Sequence, residues 1–217
     1  MLRAGALAAN VFVFASLLGA AALDIPVAPN ASLGCTANLG NFNFAAVNCP
    51  SSPFLISVLR NGLTIGFTAP DSATRDLSTL DSLTVGLSVA DNPGLFGKQF
   101  DALSEGGSVY LEVDGSQFLL GDFGGGSTGL NADPIASPLG LTLSVAPGDL
   151  TAVFAALKSA DFVFGIKVAR TSGDFEVINP AGARAELEGI APEPATLSLI
   201  GIGLVSLCAL RRRRAVR

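Results

Sequence analysis

The 217-residue sequence has no histidine and no tryptophan, a single tyrosine, Tyr110, and only three cysteines. Without histidine, neither a Ser-His-Asp nor a Cys-His arrangement can be assembled, which removes the commonest hydrolase designs. Zinc and similar metals are left almost without nitrogen or thiolate ligands, and no metal site is assigned. No cofactor is implied either. Residues 124–129 read GGGSTG, but a phosphate cradle would also need a lysine and a following helix, so the stretch reads as a flexible loop. One tyrosine and no tryptophan argue against an aromatic platform for sugar stacking. Charged residues are scarce at 14% while hydrophobic residues reach 49%, a balance that argues against disorder because burial can offset the entropy of ordering.

The scarce charge is unevenly placed. Six of the 13 basic residues, Arg3, Arg211, Arg212, Arg213, Arg214 and Arg217, lie in the two terminal segments. Residues 23–194 retain 7 basic against 18 acidic residues, a net charge of −11. Binding to a phosphate backbone needs clustered Lys and Arg, so nucleic acid is excluded as a partner.

What is abundant is glycine, 25 residues, set among Ser, Thr, Val, Leu and Phe, the composition of strands joined by tight turns. Leu83, Val85, Leu87 and Val89 alternate with Thr84, Gly86 and Ser88, and Leu139, Leu141, Leu143 and Val145 alternate with Gly140, Thr142 and Ser144. Such period-two runs are half-buried strands. Turn chemistry predicts two hairpins. One, at Asn61-Gly62, would pair Val58 with Ile65 and Ile56 with Phe67. The other, at Asp114-Gly115, would oppose Leu111 to Phe118 and Val109 to Leu120 with Glu112 and Gln117 facing out. Further strands are expected at 162–169, 175–178 and 183–187. One helix follows Asp149, which is placed to cap it, with Leu150, Val153, Phe154 and Leu157 on one face. Eight or nine such strands favour an all-β fold, an antiparallel β-sandwich of jelly-roll type with one short helix, over a barrel.

The ends differ from the middle. Residues 1–22 combine Arg3, an apolar stretch over 11–18 and Ala20-Ala21-Ala22, the pattern of a secretory signal cleaved after Ala22. Export places Cys35 and Cys49 in an oxidising compartment, where a disulfide is the simplest reading and two free thiols the alternative. At the other end, Pro192-Glu193-Pro194 precedes the apolar run 195–210 and then Arg211-Arg212-Arg213-Arg214. Prolines keep the triplet extended and accessible. As a helix, the 16 apolar residues span about 24 Å, short of the ~30 Å hydrocarbon core, and snorkelling arginines can supply the difference. The arginines act as a membrane stop that holds the far end in the cytoplasm.

This tail resembles the PEP-CTERM sorting signal in its triplet, the Ala-Thr-Leu that follows, the glycine-spaced apolar helix and the basic end. The resemblance covers about residues 191–217. It implies export in a Gram-negative bacterium, an inner-membrane-anchored precursor, and processing near the triplet by an exosortase-type membrane protease. Delivery is then to the cell surface or an exopolysaccharide matrix, with exopolysaccharide as a further partner. The expected organisation is a signal peptide (1–22), an exported β-sandwich domain (23–190) and a sorting tail (191–217) with a transmembrane helix at 195–210. An ordinary C-terminal anchor is the alternative.

For the cargo, the expectation is a non-catalytic surface or matrix protein. Two alternatives stay open. One is a carbohydrate- or calcium-binding β-sandwich module, with scattered oxygen ligands at Asp91, Asn92, Asp114, Asp122 and Asp133. The other is a secreted hydrolase that pairs Glu112 with Asp114 or Asp122. Asn30-Ala31-Ser32 matches a glycosylation triplet, a short pattern of little weight.

Overall fold

Alternating apolar and small polar residues dictate strands, and the computed structural model, which describes residues 21–39, 42–46, 48–70, 77–91, 105–124 and 139–191, forms twelve of them. They make two antiparallel sheets. The first contains β1 (Ala21–Val27), β4 (Phe54–Ile56), β6 (Thr79–Asp91), β9 (Leu139–Ser144), β11 (Phe175–Ile178) and β12 (Arg184–Ala191). The second contains β2 (Cys35–Leu39), β3 (Phe42–Ala46), β5 (Gly62–Thr68), β7 (Gly106–Val113), β8 (Ser116–Gly124) and β10 (Val163–Ser172), in the order β3-β2-β5-β10-β7-β8.

Strand β6 organises the first sheet. Residues 84–89 pair with β9 along one edge. Along the other edge, residues 79–86 pair with β12 and residues 88–91 with β11. Thus β11 and β12 lie end to end against one long strand, separated by a 3-10 turn at Pro180–Gly182. β1 then flanks β12, and β4 flanks β11. The alternation read from the sequence holds: Leu83, Val85, Leu87 and Val89 are buried, while Thr84, Gly86 and Ser88 are half-buried on the outer face.

The inner faces of both sheets share one core. Phe67 of β5 and Phe164 of β10 are register partners and stack with ring centroids 5.3 Å apart. Phe123 of β8 meets Phe175 of β11 edge-on at 5.0 Å, an aromatic contact between the sheets of the kind that adds to simple area burial. Helix α1 (Leu150–Ser159) joins β9 to β10, burying Val153 and Leu157 against the same core with Leu150 and Phe154 half-buried. Asp149 stands at the N-cap position, but its side chain makes no capping hydrogen bond; its backbone is helical rather than extended, which turns the carboxylate away from the first-turn N–H groups.

Two hairpin expectations fare differently. At Asp114-Gly115 both residues have positive φ, 49° and 74°, as a two-residue primed turn requires. Leu111 opposes Phe118 and Glu112 opposes Gln117, as expected. Val109, however, opposes Gly121 rather than Leu120, because the register shifts between Val109 and Tyr110. Leu120 stays inward and Leu119 is 48% exposed; the irregularity reverses the parity beyond them, so that Phe123 is buried as well. The Asn61-Gly62 hairpin does not form. β4 pairs with β11 in the first sheet and β5 with β2 and β10 in the second, so residues 57–61 cross between layers. Ile56 and Phe67 are both buried, but in different sheets, and Val58 and Leu59 project into solvent at 69% and 78% exposure. Apolar alternation on both sides of Asn-Gly cannot distinguish one sheet from two.

The crossover predicts contrasting truncations. Phe175→Ala should cost about 3–5 kcal/mol in urea unfolding because it empties the junction between the sheets. Val58→Ala should change stability by less than about 0.5 kcal/mol. A large Val58 effect would restore the hairpin.

Candidate functional site

Two places in the fold bear on function: the end of β12, where the chain leaves the sandwich, and a polar groove on the outer face of the second sheet.

The last strand is held firmly to its end. Ala191 pairs with Ala21, Ile190 with Ala22 and Leu23 with Gly189, continuing to Val27 opposite Ala185. On the other side Ile190 lies opposite Thr79. The Ile190 carbonyl accepts two hydrogen bonds from Ser78, from its backbone N–H at 2.7 Å and its hydroxyl at 2.8 Å. Order therefore reaches the residue before Pro192, whose ring nitrogen could donate nothing to a ladder. Pro192, Glu193, Pro194, the run 195–210 and Arg211–Arg214 lie outside the described residues, as do residues 1–20 of the expected signal. Among the described residues, no helix is long and apolar enough to cross a membrane.

The outer face beside this exit is acidic. Pro26 is the register partner of Glu186, and Asp24 of Glu188. Charge repulsion from Asp24, with a hydrogen bond between the two carboxyls, raises the pKa of Glu186 above the usual 4.5; slight desolvation and Glu188 push the same way and Arg184 opposes them. Glu188 itself accepts a hydrogen bond from Ser82 at 2.8 Å.

On the second sheet, outward positions of neighbouring strands line up in rows. One row runs Thr36, Thr64, Lys167, Tyr110 and Leu119 across β2, β5, β10, β7 and β8. Five strands at ~4.8 Å spacing make this row about 19 Å long. Glu112 is its hub, accepting from Gln117 Nε2 at 2.6 Å, Lys167 Nζ at 3.2 Å and Thr64 Oγ1 at 3.2 Å. Thr36, Asn38, Asn61, Thr64, Lys167 and Arg170 surround a groove of about 470 Å³ that also touches Glu112 and Ala169. Arg170 pairs with Asp174 at 3.5 Å and donates to the Gly173 carbonyl. One end of this face is walled by the turn after β1. Gly66 hydrogen-bonds the Asn30 and Gly34 backbones, and a Cβ there would lie 2.5 Å from that of Leu33, so the close approach requires glycine.

The cysteines are joined: Cys35 and Cys49 form a disulfide with Cα atoms 4.7 Å apart, Cys35 buried beside Ile65 and Cys49 half-buried against the core. Asn30 is occupied structurally, its amide donating to Thr68 Oγ1 at 2.7 Å and its oxygen accepting from the Ser32 N–H at 2.7 Å.

Of the two carboxylate pairs, Glu112 and Asp122 do not come together. Asp114 is an exposed turn residue and Glu112 is committed to its three donors. Asp122 accepts from Ser108 Oγ at 2.6 Å, four residues from Glu112 along β7 or roughly 13 Å of strand. Glycoside cleavage needs its carboxyls within about 5–9.5 Å. Among the described residues, no group of three or more His, Cys, Asp or Glu could hold a metal. Asp91 ends β6, Asp114 and Asp122 sit at different ends of the β7–β8 hairpin, and Asn92 and Asp133 lie outside the described residues. The sequence pointed to Glu112 but not to Thr36, Asn38, Thr64 and Lys167, which surround it here. The signal available was their outward parity on alternating strands, but only sheet order aligns them.

Two outcomes follow. Replacing both cysteines by serine should lower stability by about 3 kcal/mol, the loop-entropy value for a bridge of this span, read from urea midpoints. Because the folded state raises the Glu186 pKa, it holds the proton more tightly than the unfolded chain, so this group's contribution falls as pH rises from about 4.5 through the raised value. Glu186→Gln should remove that decline from a series of urea midpoints across the same window; an unchanged slope would show that Asp24 does not act on Glu186.

Residues 191–214 match the family of the PEP-CTERM protein-sorting motif. The motif marks a protein that an exosortase, itself a membrane protein, sorts to the cell surface, so the chain is exported and membrane-anchored before processing. No curated protein matches the chain.

Proposed function

We propose that this chain, which ends in a PEP-CTERM sorting motif, is a non-catalytic surface or matrix protein whose β-sandwich is released from a C-terminal membrane helix by cleavage near Pro194. The observation that carries the reading is the coincidence of boundaries. β12 is tied to β6 and Ser78 as far as Ile190, and the motif begins at the next residue. A protease working at the membrane surface would meet the proline-flanked Pro192-Glu193-Pro194 directly beyond a strand pinned by Ser78. Residues 195–210 provide the short helix and Arg211, Arg212, Arg213 and Arg214 its cytoplasmic stop.

Cleavage after Ala22 at the other end fits the same corner. It removes the pairs Ala21 with Ala191 and Ala22 with Ile190, and it leaves five pairs from Leu23 to Val27 with Ile25 and Val27 buried. Both processed ends thus leave the sandwich side by side.

A non-catalytic role is supported by the absence of histidine from the whole chain and by the separation of Glu112 from Asp122. A jelly-roll description is supported by strand order: β4-β11-β6-β9 in one layer and β5-β10-β7-β8 in the other, with consecutive strands passing between layers except at the β7–β8 hairpin.

Mass spectrometry of the protein recovered from its native cells should find an N-terminus at Leu23, a C-terminus near Pro194 and no Arg211–Arg214. A mature chain that keeps the arginines would reduce the tail to a simple anchor.

A further inference from the structure

We infer that the outer groove of the second sheet is a binding site for a neutral polysaccharide. The inference rests on the exported placement proposed above, since that placement brings the face into contact with polymers outside the cell.

Charge decides the ligand class. Residues 23–194 carry only seven basic side chains, and two of them, Lys167 and Arg170, are in this groove. Each is neutralised within the protein, Lys167 by Glu112 at 3.2 Å and Arg170 by Asp174 at 3.5 Å. A groove built for an anion would leave its cations free to face the ligand, and the −11 charge of the surrounding domain would oppose an anionic polymer. The remaining lining, Thr36, Asn38, Asn61 and Thr64, offers hydroxyls and amides. These can each donate and accept, which matches the hydroxyl groups of a sugar. The hydrogen bonds from Thr64, Gln117 and Lys167 aim Glu112, so it adds an acceptor of fixed geometry to the groove's wall.

Shape agrees with a chain-like ligand. Gly165 and Ala169 flank Lys167 along β10, so no bulky side chain stands between the polar groups. The row crosses five strands over about 19 Å. At its far end Tyr110 is half-buried and Leu119 is exposed on the same face, giving an apolar surface against which the C–H face of a sugar ring can lie.

The test is affinity electrophoresis of the full chain in a sugar-free non-ionic detergent, in native gels cast with dextran, mannan, xylan or β-glucan, and separately with alginate as an acidic polymer. At least one neutral polysaccharide should retard the protein, and high salt should leave the retardation in place. Asn38→Ala and Thr64→Val should each weaken it about tenfold, the loss of one or two ligand hydrogen bonds. Thr142→Val, on the outer face of the other sheet, should leave it unchanged. Circular dichroism of each variant separates lost binding from lost fold. Retardation by none of the neutral polymers, by alginate alone with loss in salt, or equally by native chain and Asn38→Ala would overturn the inference. A mature chain that retains Arg211–Arg214 would instead sink the sorting reading and leave any retardation intact, so the two failures are distinguishable.

Discussion

The pairing of β6 along both of its edges is the constraint on which the rest of the molecule depends. Its thirteen residues carry β9 on one side and β11 and β12 in succession on the other. Its inward residues, Leu83, Val85 and Val89, are fully buried. Without that template, β12 would have only β1 as a partner, and a two-stranded ribbon is at best marginal in water. The register between β6 and β12 carries the last strand to Ile190, the residue before the sorting segment.

That register ties sorting to folding. A protease that acts beyond Ala191 needs the chain to be extended and unpaired there, and the body behind it to be closed. The Ile190 carbonyl, held twice by Ser78, ends the ladder on the β6 side. Next to it the acidic face formed by Asp24, Glu186 and Glu188 stores some repulsion, as the raised Glu186 pKa records. The corner is thus well ordered in its backbone and mildly strained in its charge.

The two sheet faces have different characters for a physical reason. The inner faces hold the aliphatic and phenylalanine side chains, so the chemistry of recognition is confined to the outer faces and to the small and polar residues that alternate with the core. On the second sheet those outward residues are satisfied locally: Glu112 by Thr64, Lys167 and Gln117, and Arg170 by Asp174 and Gly173. A surface with paired charges beside amide and hydroxyl groups is suited to hydroxyl-rich ligands rather than to ions.

Much of this was legible in one dimension. Period-two patterning located β6 and β9 and the face each would bury, because burial on one side of a strand leaves its mark in sequence. Asp114-Gly115 announced its turn because few residue pairs tolerate two positive φ angles. The tail, from Pro192-Glu193-Pro194 to the four arginines, is wholly a matter of sequence, since its chemistry is local and linear. What the sequence could not decide is which strands share a sheet. Asn61-Gly62 has the chemistry of a hairpin, yet Ile56 and Phe67 bury in opposite layers, because either arrangement satisfies the same alternation. Nor could it align Thr36, Thr64, Lys167 and Tyr110, which lie on four strands far apart in the chain. Local propensity specifies elements; only the closing of two sheets on one core specifies their order, and with it the surface that faces outward.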